Sequence, residues 1–550
     1  MRRLFGPQSD FSKATLIHPI LLGCYPALAL YAQNTGQVAF NALPETLLVL
    51  AVFAIVVFLL STLCFASWQK GALVTSTILL LFFSYGHVYS VLKHVFVGGI
   101  LIGRHRYLIP LWILVMALVV WLVGFRSRGL MPTNRVVAAF SLALVAIPGV
   151  SITSYEVRVL WDSRGSAAAQ TQDGLIRSIQ STDELPDIYY IITDAYARWD
   201  VLRDSFGYDN SAFDQFLTAH GFYVAHESNA NYLWTHLSLS SSLNMNYIQE
   251  LIPQSSTGTP PAFGELLQDS LVRSTLEAAG YQTVGFATGW VGTEWKDADF
   301  FFAPDMTGLE GLSARGFVSP FEGMLVSNSV LKVLLDIDSL RHTPLARYFE
   351  TRLQFPFTVQ REIILAVFEN LKAVPPTNRP KFVFAHIIAP HGPFIFGPNG
   401  EEIRYARAFT LADDPDMVGD LGRDRYVDEL IYVTRRLEET VDYIQTHSTR
   451  PVVIILQSDH GASPTLQWTS PTVRGVTDKM GILNAYLVPD ECKDLLYPSV
   501  SPVNSFRIVL SCTVGTPLSL LEDKTYVGYN DFIDSEEYFS TLPPGMGGIK

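Results

Sequence analysis

The chain is 550 residues long, 49% hydrophobic, and carries a formal net charge of −13. That length exceeds one ordinary hydrophobic core, so two or three structural units are expected. Residues 1–155 hold ten Lys/Arg and only two acids, Asp10 and Glu45, leaving 29 basic and 50 acidic side chains in the remainder, a net charge near −21. So acidic a remainder excludes a nucleic-acid partner, whose binding depends on Lys and Arg neutralising phosphates, and it favours a metal if the substrate is an anion.

In chain order, five apolar runs come first, at residues 16–32, 47–66, 72–92, 107–125 and 136–152. Each approaches or reaches the roughly 20 residues needed to span a hydrocarbon core. The second and fourth contain no charged residue, and a helix satisfies every backbone group in such an environment. A cleavable signal peptide accounts for the first run at most, so the expectation is a membrane domain of five helices at 1–155. Arg2, Arg3, Lys13, Lys70, Arg126, Arg128 and Arg135 fall on one side of the bilayer, against Lys93, Arg104 and Arg106 on the other. Lys and Arg are retained in the cytoplasm, so the N-terminus is inside and five crossings export the C-terminal half. The GRHRY segment at 103–107 reads as interfacial anchoring of the fourth helix or as a contact for an anionic head group.

Residues 156–185 are polar and read as a juxtamembrane connector, and 186–550 as the extracytoplasmic domain. Beyond Pro186, short β-branched runs alternate with helical patterns, the signature of an α/β domain with a sheet covered by helices. Strands are expected at 188–193, 283–287, 382–388, 452–456 and 485–488, and helices at 211–219, 263–279, 361–374 and 423–446. In the last helix Tyr426, Leu430, Leu437, Val441 and Ile444 form one apolar stripe. Cys24 and Cys64 lie in membrane runs, whereas Cys492 and Cys512 lie in the exported half, where either a disulfide or two free thiols is compatible with the sequence.

Ligands of an open α/β sheet gather at the carboxyl ends of its strands, and polar residues end these strands. Asp194 closes DIYYIITD, and its carboxylate is a candidate metal ligand or simply a turn former. PVVIILQSDHG delivers Asp459 and His460 together, followed by Gly461 where the chain turns away. A hard carboxylate beside a borderline imidazole suits zinc or manganese better than calcium. Thr235, in SNANYLWTHLSLSSSL, stands at a helical start whose free N–H groups stabilise an anion; a metal at its oxygen would make it a nucleophile, although a plain helix cap fits the same pattern. KFVFAHIIAPHGPF adds His386 and His391, which could bind a second metal, hold substrate oxygens or protonate a leaving group.

Taken together, strand-Asp, loop-Thr, PHGPF and SDHG resemble the sulfatase-like branch of the alkaline phosphatase superfamily. Five membrane helices before an exported domain are similar to lipoteichoic acid synthases and lipid A phosphoethanolamine transferases, and the resemblance runs from about Pro186 to Phe506 through GILNAYLVP and LYPSVSPVNSFR. It implies a central, mostly parallel mixed sheet, and Asp194, Thr235, Asp459 and His460 around one divalent ion. It also implies Thr235 as the catalytic nucleophile, His386 and His391 on the substrate, and a bacterial inner or cytoplasmic membrane location. The implied activity is hydrolysis or transfer of phosphate-type esters of a lipid-linked or envelope glycan substrate. A hydrolase of small exported sulfuric or phosphoric esters and an inactive envelope scaffold are the alternatives. The Cys/Ser-x-Pro-x-Arg motif of sulfatases is absent from the exported half; CYPAL at Cys24 lacks the arginine.

Overall fold

The computed structural model describes residues 16–35, 42–93, 95–98, 100–126, 129–162, 185–252, 263–305, 320–337, 343–405, 409, 411, 419–468, 470–515, 517–528 and 532–542. Most of the expected connector at 156–185 and the loop at 255–262 lie outside the described residues. The chain forms two compact units that interleave along the sequence. One comprises Met1–Leu160, Leu312–Pro356 and Tyr405–Thr410; the other comprises Trp161–Gly311, Phe357–Arg404 and Leu411–Lys550.

The first unit is helical: α1 (His18–Gln33), α2 (Ala42–Phe65), α3 (Trp68–Leu92), α4 (His105–Trp121) and α5 (Met131–Asp162). Among the described residues, four stretches are long and apolar enough to cross a membrane: Leu43–Phe65, Trp68–Leu92, His105–Phe125 and Met131–Tyr155. The first expected span forms α1, whose 16 residues reach about 24 Å at 1.5 Å per residue, short of a hydrocarbon core of about 30 Å. Leu48, Val52, Leu60 and Leu63 of α2 are exposed, as expected of a helix solvated by hydrocarbon rather than water. Polar side chains tie the helix ends together: His18 Nδ1 lies 2.6 Å from Ser76 Oγ, and His18 Nε2 lies 2.9 Å from Asn134 Oδ1.

The expected boundary near residue 155 did not anticipate that a later segment joins these helices. Phe321 and Leu325 pack with Tyr31, Leu43 and Ile152. Two backbone hydrogen bonds stitch the segment to α3, from Gly86 N–H to Asn328 O at 3.1 Å and from Val330 N–H to Phe82 O at 2.9 Å. A Cβ at Gly86 would stand 2.5 Å from the Asn328 Cα, so only glycine permits this approach.

Among the described residues, the main sheet of the second unit has seven strands: β1 (Asp187–Thr193), β2 (Tyr223–Val224), β3 (Gln282–Phe286), β4 (Phe300–Phe302), β5 (Lys381–Ile387), β6 (Val452–Gln457) and β7 (Asn484–Leu487). They lie in the order β2-β7-β6-β1-β5-β3-β4. Strands β6, β1, β5, β3 and β4 run parallel, and β7 and β2 add antiparallel pairs at one edge. All seven residues of β1 are buried, which explains its unbroken apolar run: a strand flanked by parallel neighbours and covered on both faces has no side to keep polar. The two strands with no counterpart in the sequence reading, β2 and β4, are the outermost and have two and three residues.

Helices of this unit include α6 (Ser211–Ala219), α7 (Thr235–Asn244), α8 (Phe263–Gln268), α9 (Leu271–Ala278), the late part of α10 (Pro344–Lys372), α11 (Asp420–His447) and α12 (Pro502–Thr513). The single helix expected at 263–279 breaks into α8 and α9, because the Ser270 side chain accepts the Arg273 N–H and starts a new helix. The stripe of α11 is buried as expected, at Tyr426, Leu430, Leu437, Val441 and Ile444. Cys492 and Cys512 are joined by a disulfide.

At the amino ends of the central strands a buried ion pair locks β1 to β5. Lys381 Nζ lies 2.9 Å from Asp187 Oδ2, with both side chains at most 5% exposed, and the Lys381 N–H donates to Asp187 Oδ1 at 2.9 Å. Removing one partner strands the other charge in the interior. Lys381→Met is therefore expected to cost about 3–5 kcal/mol in denaturant unfolding of the second unit, and an unfolding midpoint equal to wild type would show the pair to be dispensable.

Candidate active site

The parallel strands β1, β5 and β6 present their carboxyl ends together, so Asp194, the His386–His391 segment and Asp459–His460 meet although they are up to 266 positions apart. In the register, Ile192 stands opposite His386 on one side and Gln457 on the other. Ala195 follows Asp194 at φ +63°, a left-handed conformation that costs an L-residue energy. The surroundings hold it there: Ala195 N–H donates to Asp459 Oδ1 at 3.2 Å, and the Tyr426 hydroxyl donates to Ala195 O at 2.8 Å. Ser458 Oγ lies 2.7 Å from Thr193 O and accepts the Tyr196 N–H at 2.8 Å, fastening the two strand ends to each other.

Asp194, His386, His391, Asp459 and His460 are all buried, whereas Thr235 is half-buried and reachable. Thr235 is the first residue of α7, and the capping position belongs to Trp234, which makes no side-chain cap bond. The threonine hydroxyl instead lies 3.4 Å from His460 Nε2. The serines that follow do not line a solvated face: Ser238, Ser240, Ser241 and Ser242 are buried, and Ser242 Oγ lies 2.7 Å from the Tyr190 hydroxyl.

Protonation follows from the hydrogen bonds. His460 Nδ1 lies 3.0 Å from Gly461 O and His391 Nδ1 lies 2.6 Å from Gly392 O. A carbonyl only accepts, so Nδ1 carries a hydrogen in both rings. Burial lowers the His460 pKa, with Lys479 and His391 adding to it against the opposing pull of Asp459 and Asp194, which keeps that ring neutral. Burial also favours the protonated form of Asp194, but the three imidazoles around it, His391, His386 and His460, outweigh it and hold the carboxyl well below its usual range.

The bare His460 Nε2 therefore faces two carboxylate oxygens, Asp194 Oδ1 at 3.7 Å and Asp459 Oδ2 at 3.6 Å. His386 Nε2 faces Asp194 Oδ2 at 3.4 Å. Asp194 Oδ1, Asp459 Oδ2 and His386 Nε2 are buried and have no hydrogen-bond partner. Two groups of ligand atoms, Asp194–His391–His460 and Asp194–His386–Asp459, each lie within 4.8 Å of one another. Acceptors converging without a hydrogen between them repel unless a cation stands among them, and this set of neutral imidazoles and carboxylates fits a divalent metal. The structure brings Asp194, Asp459 and His460 together, with the Thr235 hydroxyl beside His460. It also puts His386 and His391 among the same ligand atoms, not apart from them, with Asp194 common to both groups.

No family model matches the sequence, and no curated protein matches it. Solved structures do resemble it in fold. The C-terminal periplasmic domain of EcEptC from Escherichia coli, in complex with Zn, is 12% identical with a TM-score of 0.39 over 67% of this chain and 96% of that one. The integral membrane lipooligosaccharide phosphoethanolamine transferase A (EptA) from Neisseria meningitidis is 13% identical with a TM-score of 0.36, over 92% of this chain and 97% of that one. A 2-O GAG sulfatase is 13% identical with a TM-score of 0.34, over 63% and 79%. Likenesses this distant carry no functional weight, and the chemistry below is taken from this chain's own atoms.

Several residues around the site escaped the sequence reading. Thr293 Oγ1 lies 3.0 Å from His386 Nδ1 and within 3.3 Å of both Thr288 Oγ1 and Trp290 O. Its own hydrogen is directed to those acceptors, so His386 Nδ1–H donates to it and His386 Nε2 is left bare toward Asp194. Lys479 is buried near His460 and is among the groups that lower its pKa. Glu429 of α11 is fully buried, and its Oε2 accepts the Ile395 N–H at 3.0 Å beneath the His391 segment; burial pushes its carboxyl well above the usual range. His236, next to Thr235, is lowered to about 4 by burial and by His460. Thr293, Lys479 and Glu429 stand in no motif and are brought near only by the fold, whereas His236 lies inside the SNANYLWTHLSLSSSL segment.

Gly461 also has a different role from the one expected. It does not adopt a positive φ; a Cβ there would stand 2.2 Å from Gly481 O and 2.7 Å from Asp478 O. The glycine is needed for space against a neighbouring backbone. Gly461→Ala is expected to destabilise the second unit by at least about 2 kcal/mol, measured by chemical denaturation; unchanged stability would mean the backbone gives way freely. Thr293→Val keeps the shape and removes the hydroxyl that orients His386. Metal affinity measured by chelator competition should fall about 10–100-fold with little change in melting temperature.

Proposed function

We propose that this chain is a membrane-anchored, metal-dependent enzyme of the alkaline phosphatase superfamily that transfers or hydrolyses phosphate-type esters through Thr235. The observation that carries this reading is the convergence of three partnerless acceptors, Asp194 Oδ1, Asp459 Oδ2 and His386 Nε2, in a site where the Thr235 hydroxyl approaches the bare His460 Nε2 at 3.4 Å. Asp194, Thr235, Asp459 and His460 would hold a divalent cation, zinc or manganese, with His386 and His391 close enough to join them or to meet the substrate. When bound, such a cation supplies positive charge against the ester oxygens and lowers the pKa of the threonine hydroxyl.

The protein's residues account for the remaining steps. The N-terminus of α7 directs positive potential at an anion beside Thr235. Thr235 Oγ bonds to phosphorus as the ester P–O bond breaks, and its proton ends on the departing alkoxide. Water or an acceptor alcohol then takes the phosphoryl group, breaking the Thr–O–P bond and returning a proton to Thr235 Oγ. Most of the acceleration comes from positioning and charge. The apolar helices would anchor the catalytic unit to a membrane that carries a lipid-linked or envelope glycan substrate.

The test uses the purified full chain and bis(p-nitrophenyl) phosphate. Turnover should need a divalent metal, disappear with a chelator and return with zinc or manganese. Thr235→Ala should lose at least about 100-fold while keeping its melting temperature, and a trapped phosphoryl adduct should map by mass spectrometry to the peptide containing Thr235. Undiminished turnover in Thr235→Ala would refute the nucleophile.

A further inference from the structure

Beside Thr235 the surface is aromatic. Trp234, the residue just before the nucleophile, stacks on Trp468 with ring centroids 5.0 Å apart and planes 20° from parallel. Trp234 is anchored from below, where it and Leu466 pack against Leu233, Val476 and Met480. Trp468 remains 37% exposed. A partly exposed indole stacked on a second one beside the proposed nucleophile offers a flat aromatic face to whatever molecule reaches Thr235.

The loop that carries Trp468 narrows the chemistry. Residues 461–472 read GASPTLQWTSPT, twelve positions without one charge in a unit whose sequence is strongly acidic. Thr465 and Gln467 are exposed beside Trp468, and Ser463 Oγ lies 3.3 Å from Thr465 Oγ1. This loop has no carboxylate to pair with an ammonium group over the indole, the arrangement a cationic ligand calls for, and no cation to meet a phosphate. Instead it pairs an aromatic face with neutral donors and acceptors. A pyranose ring matches both, since its C–H face lies flat on a π surface while its hydroxyls reach the hydroxyl and amide groups at the edge.

We infer that Trp468, backed by Trp234, is the platform on which a neutral pyranose ring of the substrate lies beside Thr235. This deepens the reading of the site as a phosphoryl-transfer centre and rests on it, naming the substrate class as a pyranoside. Isothermal titration calorimetry on the full chain tests it, with N,N′-diacetylchitobiose and maltose as neutral probes and phosphoethanolamine as the charged one. Wild type and Thr235→Ala should bind at least one disaccharide saturably. Trp468→Ala should bind that disaccharide at least about fivefold more weakly, and Trp468→Phe, which keeps a ring, should recover part of the loss; equal melting temperatures show that the variants are folded. Absence of saturable disaccharide binding in wild type, equal affinity in Trp468→Ala, or a loss confined to phosphoethanolamine would overturn the inference. Because binding is read in Thr235→Ala as well, failure of the platform and failure of the nucleophile give different results.

Discussion

The Nε2 lone pair of His460 organises the candidate site of the second unit. The carbonyl of Gly461 takes the Nδ1 hydrogen of His460, so Nε2 faces Asp194 and Asp459 with no proton to share. Two carboxylate charges about 4 Å apart repel by about 4 kcal/mol at an effective dielectric of 20. A fold that spends stability on such a cluster at the ends of its central strands keeps it for a cation. The neighbouring features serve the same end: Ala195 is held in a left-handed turn, Ser458 ties the strand ends, and Gly461 makes room for a backbone that crowds it.

Burial is distributed according to task. The ligand side chains sit in the interior, where electrostatic interactions are strong, while Thr235 alone among the six site residues is half-buried and open to a substrate. Around them stand groups that orient rather than react. Thr293 fixes the tautomer of His386, and Glu429 holds the chain that carries His391. At the surface, the paired indoles of Trp234 and Trp468 and their uncharged loop continue the site from chemistry toward recognition. The acids and imidazoles of the site are thus buried, and the Trp468 loop beside them is uncharged and aromatic.

The helical unit follows a different physics. Its side chains reach outward where a water-soluble core would turn them inward, and its cohesion comes from close glycine contacts and a few buried polar ties such as His18 with Ser76 and Asn134. The segment around Asn328, remote in sequence, is part of this unit because Gly86 leaves room for its backbone beside α3. A domain boundary drawn from composition alone misses such a return, since the segment is too short to stand out as apolar.

Periodicity and local chemistry were enough to locate the apolar helices, the five interior strands, the stripe of α11, and the polar residues at the strand ends. These signals are local: a buried parallel strand is apolar throughout, and the carboxyl end of such a strand is where ligands gather. Only the tertiary structure decided which atoms meet. The two short edge strands, the disulfide between Cys492 and Cys512, the orienting roles of Thr293 and Glu429, and the approach of Lys479 to His460 depend on neighbours far away in the chain. So does the sharing of Asp194 between two groups of ligand atoms, because a strand register brings side chains together across hundreds of residues, a distance that no local pattern spans.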